Sequence, residues 1–94
     1  MSNIIWSPKA VSQLDNIFNY INKDSKIYSK IVIQQIISFV EKISTNPKSG
    51  RIMIEFNDQE ILERRYGNYR IIYRIRNENI EIIAIFHTSQ IPKL

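Results

Sequence analysis

Glu63, Arg65, Arg70, Arg74 and His87 are the side chains best suited to chemistry in this chain, and a regular alternation of residue types from Ile61 to His87 gathers them. Guanidinium groups bind oxyanions through directed N–H donors, and a carboxylate and an imidazole beside them can take or give a proton. Such a set fits an anionic partner, either nucleic acid or an acidic protein segment. The net charge of +4 and a pI near 9.5 point the same way. With Arg51 and Arg76 added, the candidate binding set is Arg51, Arg65, Arg70, Arg74, Arg76 and His87.

These side chains meet only if the segment folds as antiparallel strands. Gly67-Asn68 lies between two alternating runs, and this pair supplies the left-handed positions that a tight hairpin needs. Arg65 then pairs with Arg70, and Tyr66 with Tyr69. A second reversal near Asn77 to Asn79 brings Ile80 to His87 alongside, with even positions opposite odd ones: Arg74 or Arg76 faces Glu81, and Arg70 faces Ile85 or His87. One face should carry Glu63, Arg65, Arg70, Ile72, Arg74, Arg76, Glu81, Ile83, Ile85 and His87. The other should carry Leu62, Arg64, Tyr66, Tyr69, Ile71, Tyr73, Ile75, Ile80, Ile82, Ala84 and Phe86, and its apolar character demands a helical cover. The first face is expected to stay open.

The remaining elements must supply that cover. Asn3 to Trp6 reads as a short apolar strand. Ser7-Pro8 is an N-cap followed by proline at the first helical position, and a helix runs to about Asn22 on an apolar stripe of Val11, Leu14, Ile17, Phe18 and Ile21. Asp24 or Ser25 caps a second helix with Tyr28, Ile31, Val32, Ile36, Phe39, Val40 and Ile43 at helical steps; its many β-branched residues make packing its main support. Asn46-Pro47 ends that helix, Lys48-Ser49-Gly50-Arg51 forms a turn, and Ile52 to Phe56 is a short strand or an extended lead-in. The expected fold is α+β in one domain, residues 1–94: an N-terminal strand and a helical hairpin packed on an antiparallel sheet of about four strands. Trp6 reads as a core anchor, Tyr69 and Tyr73 as core, and Arg64 as a side chain that extends past the helices.

Composition excludes several classes. A chain of 94 residues leaves about a third of its extended-state surface exposed, so a partner or oligomer would add stability. With no cysteine and one histidine, neither a disulfide framework nor a structural metal centre is expected, and no cofactor motif occurs. The two glycines, Gly50 and Gly67, form no phosphate-binding loop or dinucleotide fingerprint, and no G-x-S-x-G accompanies the histidine. No apolar run has the length of a membrane span, so a cytoplasmic location is expected.

Four segments, in order, resemble the RelE/ParE superfamily of bacterial toxins from type II toxin–antitoxin modules: WSPKAVSQLDNIFNYI, NPKSGR, ERRYGNYRIIYRI and IEIIAIFHTSQIPK. The long helical hairpin is more similar to the ParE and plasmid-stabilisation branch. The resemblance implies a growth-inhibiting toxin held inactive by a cognate antitoxin, in a toxin–antitoxin hetero-oligomer, and it implies two possible targets. One is DNA gyrase, inhibited by binding. The other is ribosome-bound messenger RNA, cut by a metal-independent endoribonuclease in which Arg70 and Arg65 would hold the phosphate while Glu63 or His87 moves the proton. This sequence departs from the ribonuclease pattern at three places. Ser89 stands where related toxins often carry a second catalytic arginine, Ile61 and Glu63 stand at the sheet lysines, and no tyrosine follows near the C-terminus. Gyrase inhibition is therefore the leading expectation, the ribonuclease the alternative, and a decayed, non-toxic binding module the third.

Plainer roles exist for each of these residues. Alternating arginines also mark any solvated sheet face. Arg65 beside Arg70 is unfavourable unless an anion lies between them, whether Glu63 in an internal salt bridge, a phosphate or an antitoxin carboxylate. His87 at a strand end also serves as a structural hydrogen-bonding group.

Overall fold

The computed structural model describes residues 3–92. β1 (Asn3–Trp6) leads into α1 (Pro8–Asn22) and α2 (Lys26–Ile43), followed by a 3-10 turn at Pro47–Ser49, β2 (Arg51–Ile52), a second 3-10 turn at Ile54–Phe56, β3 (Ile61–Tyr66), β4 (Tyr69–Arg76) and β5 (Asn79–His87). The sheet has five strands in the order β1-β5-β4-β3-β2. It is mixed rather than wholly antiparallel, because β1 joins β5 in parallel, Ile4 opposite Ile80 and Trp6 opposite Ile82. The Ile52 to Phe56 segment resolves into a two-residue edge strand and a 3-10 turn.

Both helix starts follow from their serines. Ser7 Oγ accepts the Ala10 N–H at 3.0 Å with Pro8 in the first turn, and Ser25 Oγ accepts the Tyr28 N–H at 3.1 Å. Val32, Ile36, Val40 and Ile43 of α2 pack with Ala10, Leu62, Ile71, Tyr73, Ile80, Ile82 and Ile85 between helices and sheet, with Trp6, Leu14, Ile17, Tyr69 and Ile75 at the margin. Val11, Tyr28 and Ile31, expected on the buried stripes, are instead exposed. Arg64 behaves as expected: its guanidinium lies 4.8 Å from the Phe39 ring centre, over the helical layer.

The β3–β4 hairpin has the expected register, Arg65 opposite Arg70 and Tyr66 opposite Tyr69, around Gly67-Asn68. Gly67 has φ +56°, in the left-handed region, with open space where a Cβ would be. Gly67→Ala is therefore expected to cost about 1 kcal/mol from backbone conformation alone, read as a small drop in urea midpoint with unchanged slope.

The β4–β5 pairing departs from the expected parity. From Arg76 opposite Asn79 to Tyr73 opposite Ile82 the even–odd rule holds, and Arg74 does face Glu81. The register then shifts: Ile72 pairs with Ala84, Ile71 with Ile85, Arg70 with Phe86 and Tyr69 with His87. Ile83 is the extra residue of a β-bulge, and every side chain after it changes face. Helix α1 holds the bulge. Past Trp6, where β1 ends, Ser7 N–H donates to Ile82 O, Ser7 Oγ donates to Ile83 O at 2.8 Å, and Gln13 Oε1 accepts the Ile85 N–H at 2.7 Å. Ile85 thus joins the helix-side core, while Ala84 and Phe86 move to the opposite face. That face is not fully open either, because Met53 and Phe56 cover Ile61, Ile72, Ala84 and Phe86 in a second cluster.

Candidate functional site

Glu63 is the centre of the arginine face. Its side chain is 2% exposed, and both oxygens are saturated. Oε1 accepts from Arg65 Nε at 3.0 Å and Arg70 Nε at 2.9 Å; Oε2 accepts from Arg70 Nη2 at 2.7 Å and Arg51 Nη2 at 3.0 Å. Three strands contribute, since Arg51 is on β2, Glu63 and Arg65 on β3, and Arg70 on β4. The cross-strand clash of Arg65 with Arg70 is thereby relieved from within. The Arg70 bonds foremost, then those of Arg65 and Arg51, outweigh burial and hold the Glu63 carboxyl down at about 2. Glu63 in turn raises the pKa of Arg70.

Such a carboxylate is a poor general base, because its affinity for a proton is low and all its acceptor positions are occupied. Arg70 is equally committed, its side chain only 11% exposed and bound in bidentate fashion. Arg65 and Arg51 are different, at 63% and 54% exposed. Arg51 also reaches Glu55 at 3.4 Å, so three arginines against two glutamates leave one net positive charge locally. Further along the face, Arg74 lies 3.4 Å from Asp58 and 4.0 Å from Glu81, and Arg76 is exposed at the strand end.

His87 is not part of this cluster. The bulge turns it to the helix side, where its ring meets Tyr69 edge-on with centroids 6.1 Å apart. Nδ1 accepts the Ser89 N–H at 3.1 Å and lies 2.8 Å from Ser89 Oγ, an arrangement that leaves the neutral ring's proton on Nε2. The expected common face of Glu63, Arg65, Arg70 and His87 therefore divides in two: the arginines and Glu63 stay together, and the histidine lies across the sheet.

Its new surroundings were not anticipated from sequence. His87 lines a cleft of about 1030 Å³ between the helical hairpin and the tip of the β3–β4 hairpin. Ile17, Ile21, Val32 and Ile85 give it an apolar floor, Tyr20, Tyr28, Tyr66 and Tyr69 its aromatic walls, and Gln13, Asn16, Gln35 and Gln90 a supply of amides. No lysine, arginine, aspartate or glutamate is among its lining residues. The exposure of Tyr20, at 73%, and Tyr28, at 57%, follows from their place at its rim. Alternation in the strands carried no trace of this cleft, since it is made by the angle between α1, α2 and the sheet. Among the described residues no group of histidine, aspartate or glutamate side chains is placed to hold a metal ion, and no helix is long and apolar enough to cross a membrane.

Comparison with known proteins agrees with this architecture. The chain resembles a solved structure of the chromosomal ParDE toxin–antitoxin system from P. aeruginosa, with a TM-score of 0.75 at 20% identity over 93% of this chain and 96% of that one. It also resembles the YoeB dimer from Staphylococcus aureus, with a TM-score of 0.59 at 20% identity over 88% and 92% of the two chains. At such identity the likeness is one of fold. A search of curated proteins gives no match. The family model for the ParE toxin of the type II toxin–antitoxin system parDE matches residues 4–92, and the chain accordingly belongs to the ParE toxin family of type II toxin–antitoxin systems.

Proposed function

We propose that this protein inhibits bacterial growth by binding DNA gyrase and is neutralised by a cognate antitoxin, as a ParE-like toxin rather than a ribonuclease. The observation that carries the reading is the separation of the candidate catalytic groups. A ribonuclease built on Arg70, Arg65, Glu63 and His87 needs base, acid and phosphate-holding cation around one bond. Here the imidazole lies across the sheet from the guanidinium groups, and the carboxylate is held near pKa 2 by the same arginines that would have to release it. Inhibition by binding needs only a surface. Family membership and the partner named in the P. aeruginosa system support an antitoxin of the ParD kind. Gyrase as target places the action in the cytoplasm.

Two assays on the purified protein separate the readings. Gyrase supercoiling should be blocked at stoichiometric to tenfold excess toxin, and ribosome-bound message should stay intact. Message cleavage that is lost in both Arg70→Ala and His87→Ala would overturn the proposal in favour of the nuclease. A folded protein inert in both assays and harmless on induction would be a non-toxic binding module.

A further inference from the structure

We infer that Arg65 and Arg51, fixed by the buried Glu63, form a receptor for a single carboxylate on a partner polypeptide. The inference rests on the reading of this chain as a protein-binding toxin. Arg65 spends only Nε on Glu63, and Arg51 only Nη2, which it also directs to Met53 Sδ and Glu55. Their remaining N–H groups make no hydrogen bond among the described residues, and both guanidinium groups are more than half exposed. Each is within 3.0 Å of the same carboxylate, so two long side chains that would otherwise sample many rotamers are held together. An incoming oxyanion then meets directed donors without the cost of ordering them.

Charge selects the ligand. With Glu63 and Glu55 in place the cluster carries one net positive charge, enough for one carboxylate. A nucleic-acid backbone presents a row of phosphates, more negative charge than a cluster of one net positive charge with Glu55 at its edge can take. An acidic side chain on a peptide has no such conflict.

The test uses the intact protein and an N-acetylated, C-amidated Gly/Ser peptide bearing one glutamate, read from the Nε–Hε NMR signals of the arginines. Saturable shifts at Arg51 and Arg65 are expected, with at least fivefold weaker binding in Arg65→Gln and little change in Lys30→Gln, which removes the same charge from an exposed position on α2. Equal weakening in both variants would reduce the effect to net charge and overturn the inference. So would saturation by a thymidine oligonucleotide with no response to the peptide, or no shift with either probe. Glu63→Gln adds positive charge while releasing the arginines, so it should bind the peptide less tightly; tighter binding by a folded Glu63→Gln protein would also overturn it. Gyrase and message assays do not use this peptide, so failure here leaves the target reading standing, and failure of the gyrase assay is told apart from failure of this site.

Discussion

Glu63→Ala is expected to lower the unfolding free energy by about 3–5 kcal/mol at pH 7, the usual cost of removing one partner from a buried ion pair. Most of that loss belongs to Arg70, 11% exposed and bound by two hydrogen bonds to the carboxylate. Without Glu63 its guanidinium has only the long contact to Gln90 O at 3.4 Å. Arg51 and Arg65 turn to water at little cost, so Arg65→Ala should change stability by less than about 1 kcal/mol. Against a typical total of about 5–15 kcal/mol the Glu63 loss is a large share, and urea denaturation measures it directly.

The same carboxylate gives the protein an acid limb. Glu63 titrates at about 2 in the fold against an ordinary 4.5, so the unfolded chain takes up its proton first as pH drops. Its contribution is complete above about pH 4.5 and is lost as pH falls through about 2; a shift of this size is worth roughly 3 kcal/mol. Glu63→Gln has no such group. The stability gap between the two proteins should therefore narrow steadily from pH 5 to pH 2, and a gap of constant size would show that packing alone holds Arg70.

The local elements of this fold were written in local residues, and what escaped the sequence came from contacts between distant ones. Ser7-Pro8, Ser25 and Gly67-Asn68 each carry their own turn chemistry, so both helix starts and the Arg65–Arg70 register could be read directly. The parity of β5 could not. In Ile82-Ile83-Ala84-Ile85-Phe86 every residue is apolar, so shifting the pattern by one position leaves it equally plausible, and the bulge is fixed by Ser7, the N-cap of α1, and by Gln13 within that helix. That single inserted residue moves His87 from the arginine cluster to the cleft. Burial of Glu63 was equally hidden: a glutamate among arginines on an alternating strand reads as solvated, until Arg51 and the Met53–Phe56 cover come in from the β2 segment. The parallel pairing of β1 with β5 is also long-range, set by an apolar strand that fits whichever edge the hairpins leave free.

Gly50→Ala is expected to destabilise by about 2–3 kcal/mol, although the backbone there is ordinary. Gly50 has φ −78° and ψ 167°, which any residue adopts, so conformational freedom does not explain the glycine. Contact does. A Cβ at this position would overlap Tyr73 Oη and come within 2.9 Å of the Glu63 carbonyl oxygen. The tyrosine cannot yield easily, because it is fully buried and its hydroxyl donates to Pro47 O at 2.7 Å while accepting the Gly50 N–H at 3.1 Å. Inserting a methyl group into such packing costs about 1–3 kcal/mol, and weakening either hydrogen bond adds to it. Tyr73→Phe removes the obstructing oxygen and so offers a cycle: alone it should cost about 1–2 kcal/mol for the unmet Gly50 and Pro47 groups, and combined with Gly50→Ala the losses should fall short of additive by at least about 1 kcal/mol. Additive losses would mean that the Glu63 backbone is the true obstacle. In that case the strain passes straight into β3, and the Arg65 and Arg51 signals should move in Gly50→Ala even where the protein stays folded, because Gly50 precedes Arg51 and packs against the backbone of the residue that holds both arginines.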